Sequence, residues 1–67
     1  MLEIINEYMK WSGLHDYYYS EPVLMIYPPN GSKIQVVFPI NLIEHSLLSK
    51  KECVKLILDN KLKGVRI

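Results

Sequence analysis

The chain has 67 residues, 49% of them hydrophobic, and eight Lys and Arg against seven Asp and Glu give a formal net charge of +1. That length suits one domain, residues 1–67, and not two. The near-neutral balance gives no support to non-specific nucleic-acid binding, and the single cysteine, Cys53, excludes an intrachain disulfide.

The chain shows neither a metal-binding motif nor an export signal. Cys53, His15 and His45 lack zinc-binding spacing, so we expect no metal and no cofactor. No apolar run reaches the ~20 residues that cross a bilayer, and the first residues lack the basic start of a signal peptide. We therefore expect a cytoplasmic protein with no membrane partner. The high hydrophobic fraction favours a homodimer or a protein partner.

The first segment predicts an amphipathic helix. At about 100° per residue its apolar side chains cover about half of the helical wheel. They are Leu2, Ile4, Ile5, Tyr8, Met9 and Trp11. Gly13 suits the left-handed residue that ends a helix. So wide an apolar face is either covered from two sides or meets another chain, and for Trp11 the interior is favoured over a partner contact.

Residues 15–21 are interpreted as a connector, and an antiparallel β-hairpin is predicted from about Pro22 to Pro39. The apolar run 23–27 predicts a strand covered by helices on one side and by a further strand or a second copy of the chain on the other. Asn30 and Gly31 supply turn chemistry. In the return strand, residues 33–38, alternation puts Ile34, Val36 and Phe38 on one face.

Two helices are predicted after the hairpin. Asn41 and Glu44 resemble the capping box of a short helix ending near residue 48, and Ser49 with Glu52 begins a longer helix that ends at Gly64. The sequence leaves open a short final strand over residues 65–67. The order α-β-β-α-α, with or without that strand, segregates strands from helices and predicts the α+β class.

Aromatic residues are the main candidates for partner binding, and for the three tyrosines ordinary packing over the sheet edge is an equal alternative. Tyr17, Tyr18 and Tyr19 follow one another, so in an extended segment the middle ring faces away from its neighbours. Tyrosine and tryptophan are common in binding hot spots, and Trp11 is the fourth candidate. The leading hypothesis is a non-enzymatic interaction module, a regulator, inhibitor or adaptor that binds a protein partner. Such short chains are frequent among viral and plasmid accessory proteins.

The last third of the chain favours a second hypothesis, a small DNA- or RNA-binding regulator. Residues 49–57 and 61–67, with a serine-capped helix and a Lys-Leu-x-x-x-Arg-Ile ending, resemble the end of the excisionase-type winged helix-turn-helix. The resemblance implies that Lys50, Lys51 and Lys55 face nucleic acid, with Arg66 in the strand that follows. The alternative is a solvated helix face.

An enzyme is the third and least favoured class. His15 and Asp16 beside the tyrosines are the most enzyme-like cluster, since histidine serves as a general base and tyrosine as a hydrogen-bond donor. The alternative is that they are turn residues after a helix. Cys53 falls on the inner face of the last helix, which indicates a structural thiol rather than a nucleophile. We expect no enzymatic activity.

Overall fold

Three helices and a three-stranded sheet make up the fold, and their order is α-β-β-β-α-α. The structure, a computed structural model, describes residues 1–63; the predicted Gly64 cap, the final strand at 65–67 and Arg66 lie outside the described residues. The elements are α1 (Leu2–Ser12), β1 (Tyr17–Ser20), β2 (Val23–Ile26), β3 (Ile34–Val37), α2 (Ile40–Glu44) and α3 (Lys50–Lys61). The α+β class is confirmed.

Helix α1 begins and ends where the sequence predicts. Gly13 adopts φ 81°, and its backbone N–H donates to the Met9 carbonyl at 3.0 Å. This left-handed residue stops the helix and turns the chain back, so that Leu14 is buried.

The interpretation of residues 15–21 as a connector is wrong, because Tyr17–Ser20 forms strand β1. It pairs antiparallel with β2 in a register that places Tyr17 opposite Ile26 and Ser20 opposite Val23. A two-residue link, Glu21-Pro22 with a cis peptide bond, joins the two strands. Strand β2 therefore lies in the centre of the sheet, and the further strand expected beside it comes from the same chain.

The predicted hairpin is confirmed as β2 and β3. These strands pair with Leu24 opposite Val36, and residues 27–33 connect them. Gly31 takes φ 85°, which an L side chain rarely adopts, and the Asn30 side chain accepts a hydrogen bond from the backbone N–H of Ser32 at 2.9 Å. Asn30 and Gly31 therefore form the turn of the hairpin, as the sequence predicts.

The two later helices differ in how well the sequence describes them. Helix α2 is one short turn with Pro39 at its N-cap and no side-chain cap, so the expected capping role of Asn41 is wrong. Helix α3 begins as predicted, because Ser49 accepts a hydrogen bond from the Glu52 backbone N–H at 3.2 Å.

All helices contribute to a core on one face of the sheet, the inner face. The sheet buries Leu24, Ile26 and Val36 there, and the helices and connecting segments cover them with the remaining core side chains. The latter are Ile5, Tyr8, Met9, Leu14, Phe38, Ile43, Cys53, Val54, Leu58 and Leu62. On the opposite face Val23 and Met25 are only half-buried, so the expectation that β2 is covered on both sides is wrong for half of its side chains.

We expect neighbouring residues of β2 to differ sharply in their contribution to stability. Leu24→Ala removes a fully buried side chain and should lower the free energy of unfolding by about 2–5 kcal/mol. Met25→Ala, one position along on the opposite face, should cost clearly less.

Urea unfolding followed by circular dichroism measures both values. Ile26→Val, expected to cost about 0.5–1.5 kcal/mol, covers the case in which Leu24→Ala leaves no folded chain. Equal losses at positions 24 and 25 would contradict the one-sided core.

Candidate functional site

A groove runs between α1 and α3, and we call it the α1–α3 groove. Its volume is about 280 Å³, and it is lined by Ile4, Glu7, Tyr8, Trp11, Lys51, Val54 and Lys55. Helix α1 supplies residues at i, i+3, i+4 and i+7, and α3 supplies them at i, i+3 and i+4, so each helix presents one face to the groove.

A hydrogen bond between the two helices fixes the floor of this groove. The Tyr8 hydroxyl donates to Asp59 Oδ1 at 2.5 Å, which joins residues 51 positions apart in the sequence. A carboxylate acceptor makes this a charge-assisted bond, stronger than one between neutral groups. Tyr8 is buried, and its ring contacts the Trp11 ring at a centroid distance of 5.7 Å and an interplanar angle of 57°. The Trp11 ring therefore packs against a side chain that is itself held by a hydrogen bond.

The expectation that Trp11 lies in the interior is wrong, because its side chain is 65% exposed. The core takes up the side of α1 that holds Ile5, Tyr8, Met9 and Ser12. Trp11 lies at the border of that side, above the groove. The apolar arc of α1 is wider than the part of it that the core buries, and the remaining apolar side chains form one wall of the α1–α3 groove.

Charged side chains of both signs form the rim of the groove. Lys51 Nζ and Glu7 Oε1 are 3.6 Å apart across it, and both side chains are largely exposed. An exposed pair of this kind contributes little to stability. Lys55 lies one turn further along α3 and makes no ion pair with any residue between 1 and 63. The rim therefore carries more positive than negative charge.

The three tyrosines divide between the two faces of the sheet. The Tyr17 hydroxyl donates to Asn6 Oδ1 at 2.6 Å and so joins β1 to α1, and the Tyr19 ring meets Phe38 edge-to-face at 6.1 Å. Burial, and then the Glu21 carboxylate nearby, raise the pKa of Tyr19. These two half-buried rings serve packing.

Tyr18 belongs to the uncovered face, which we call the outer sheet face. Its six side chains are Tyr18, Ser20, Val23, Met25, Gln35 and Val37. Tyr18 is 65% exposed and Val37 is 56% exposed. An antiparallel sheet usually presents polar side chains to solvent, but four of these six are apolar or aromatic. The outer sheet face is the second candidate surface for a partner.

Only some of the basic residues that the nucleic-acid hypothesis names are shown to lie near one another. Lys50, Lys51 and Lys55 are exposed on the first half of α3, while Arg66 lies outside the described residues. Two of the three lysines line the α1–α3 groove, where Glu7 of α1 accompanies them. The basic side of α3 thus adjoins an acidic side chain rather than standing alone.

The His15 and Asp16 cluster lies at a second surface depression of about 480 Å³, lined by residues 13–16, 27–29 and 31–33. Within residues 1–63 neither side chain hydrogen-bonds to another side chain, so they do not form an oriented acid–base pair. Cys53 is buried, as predicted. Among the same residues no group of His, Cys, Asp and Glu is placed to hold a metal ion.

Sequence reasoning missed most of the groove. Ile4 and Tyr8 were placed on the apolar arc of α1 with no indication of what covers them, and nothing local shows that α1 and α3 lie side by side. The one indication was the wide apolar arc of α1. Exposed leucines at 42, 47 and 48, near the link between α2 and α3, had no sequence indication either. No helix within residues 1–63 is long and apolar enough to cross a membrane.

Comparison of the chain with protein families, curated proteins and solved structures finds no match in any of the three.

The single tryptophan allows a direct test of the groove's position at the surface. Because Trp11 is exposed in the folded chain, acrylamide should quench its fluorescence nearly as well as in the urea-unfolded chain. Tyr8→Phe removes the hydroxyl and keeps the ring, so quenching should stay high while stability falls by about 1.5–3 kcal/mol. Strong protection of Trp11 in the native chain would show that the groove is filled.

Proposed function

We propose that the chain is a non-enzymatic protein-interaction module that binds a protein partner through the α1–α3 groove. The observation that supports this most is the exposure of Trp11 above an apolar floor. Tryptophan is enriched in binding hot spots, which are typically centred on aromatic anchors. A ring held in place by Tyr8 also loses little freedom when a partner covers it, which favours binding.

Roles as a regulator, inhibitor or adaptor are consistent with such a module, and all of them depend on occupying a partner's surface. The α1–α3 groove, at about 280 Å³, lies at the lower limit of the ~300–1,000 Å³ typical of small-molecule pockets. Its charged rim and exposed aromatic ring are features of protein interfaces, which have an apolar centre and a polar edge. The cytoplasmic location stays a prediction from the sequence.

The nucleic-acid alternative has weaker support. Lys50, Lys51 and Lys55 give α3 a basic first half, but a phosphate approaching Lys51 also meets the Glu7 carboxylate. Phosphate contacts make affinity fall steeply with salt, so this hypothesis has a distinct signature.

A homodimer is a separate proposal, and the outer sheet face is the surface that supports it. Its exposed apolar side chains would pack against the same face of a second copy, about 10 Å away, as in sheet-on-sheet packing. Three strands of four residues present a small area, so we expect a weak dimer.

Two aromatic residues of equal exposure on different surfaces give a matched test of partner binding. We expect a tagged chain to retain one partner from the native cell, and Trp11→Ala to lose it, because removal of a hot-spot anchor costs about 2 kcal/mol or more. Tyr18→Ala should retain it. With the purified partner, calorimetry should show a Kd at least about thirtyfold higher for Trp11→Ala.

The same binding by wild type and Trp11→Ala would contradict the proposal. Salt-sensitive binding of labelled DNA or RNA, lost when Lys51 and Lys55 are both changed to glutamate, would favour the nucleic-acid alternative instead.

Self-association is tested at the outer sheet face. Sedimentation velocity of the wild type over a range of concentrations should show the average mass rising above that of the 7.9 kDa monomer at the upper end. Tyr18→Glu places a charge in the contact and should hold the chain monomeric, whereas Trp11→Ala should not. A wild type that is monomeric at every concentration would contradict the dimer.

A further inference from the structure

From the α1–α3 groove we infer the kind of partner: a single amphipathic helix that is apolar on one side and acidic along the flank facing α3. This inference rests on the proposed function and adds the conformation and charge of the bound segment.

The conformation follows from the backbones that form the walls. The lining residues span positions 4–11 of α1 and 51–55 of α3, about 11 Å and about 6 Å along the two helices, so the groove has room for about two turns of a helix. The backbone N–H and C=O groups of α1 and α3 are already hydrogen-bonded within those helices. An extended segment would therefore find no backbone partners in the groove, whereas a helix satisfies its own backbone groups. An extended partner is better served by the edges of β1 and β3, which no other strand within residues 1–63 covers.

The apolar contacts match the periodicity of a helix. Ile4, Tyr8 and Trp11 stand at i, i+4 and i+7 on α1, and Val54 closes the floor on α3. A third helix would place its own residues at i, i+3 or i+4, and i+7 over this row, with its main apolar contacts at Trp11 and the half-buried Ile4, as amphipathic helices do in grooves.

The charge of the partner follows from the asymmetry of the rim. Lys51 and Lys55 stand one turn apart on the α3 wall, and Glu7 is the acidic side chain that lines the groove opposite them. Glu7 already lies near Lys51, and Lys55 has no ion pair with a residue between 1 and 63. A carboxylate on the partner helix would lie beside Lys55, whose charge Glu7 does not offset, and basic residues there would be repelled.

The small area of the groove argues for one helix rather than a second copy of the chain. A stable dimer buries about 800 Å² per partner, about a sixth of this chain's 4748 Å² of accessible surface. Of the seven groove residues, Tyr8 and Val54 are already buried and Ile4 is half-buried. What remains is Trp11 and three charged side chains, an area suited to one short helix.

A phage library of helical peptides, randomised on one face and free of tryptophan, tests the inference on the purified full chain. After counter-selection against Trp11→Ala, the enriched peptides should carry apolar residues at helical spacing and an excess of Asp and Glu on one flank. Synthetic copies should change the fluorescence of Trp11, and their affinity should fall with added salt.

Matched variants separate the charge from the conformation. Lys55→Glu should weaken binding by up to about fivefold, and Lys33→Glu, the same change at an exposed lysine outside the groove, should leave it unchanged. Enriched helices without acidic excess, or equal binding by Lys55→Glu, would overturn the inferred charge.

An empty selection, with the cellular partner still dependent on Trp11, would overturn the helical partner and leave the proposed function standing. A cellular partner indifferent to Trp11→Ala would instead remove the proposed function.

Discussion

A single layer of helices on one face of a three-stranded sheet is the constraint from which the other features follow. Leu24, Ile26 and Val36 need cover on the inner face, and α1 and α3 both lie over it. The hydrogen bond from Tyr8 to Asp59 then holds these helices side by side. Two helices in contact leave a groove along their line of contact, and the side chains that each sequence places there form its walls. The groove is thus a by-product of covering the sheet, and its chemistry comes from its walls.

The same constraint explains why many apolar side chains remain at the surface. A domain of this size buries only about 60% of the surface its unfolded chain exposes, so a chain that is 49% hydrophobic has more apolar residues than its core can take. Part of the excess lies at leucines such as Leu47 and Leu56, and part on the two candidate surfaces, at Trp11 and on the outer sheet face. The two surfaces differ in what surrounds them. Lysines and a glutamate border the first, which can select a partner by charge, whereas Ser20 and Gln35 are the polar residues of the second.

Local chemistry predicted the parts of the fold that depend on a few neighbouring residues. Gly13 ends α1, Gly31 turns the hairpin, and Ser49 caps α3, each as the sequence indicates. Strand β1 was missed because Glu21-Pro22 lacks the Asn-Gly signal of a hairpin and because a strand this short is defined by its pairing with β2. Trp11 was misplaced for a related reason: a helical wheel gives the direction of a side chain and not the extent of the core. The lateral contact of α1 with α3 decides both the groove and the exposure of Trp11.

The two candidate surfaces lie on opposite sides of the sheet, and this bears on how such a small chain can work. The α1–α3 groove belongs to the helical layer above the inner face, and Tyr18 and Val37 project from the other side. A contact at one surface does not obstruct the other. If both are used, a weak dimer through the sheet would carry two grooves. Once one groove is bound, the second groove meets the same partner at a raised effective concentration without any new contact. Modest affinity at each groove would then suffice for firm attachment to a partner that repeats its helix.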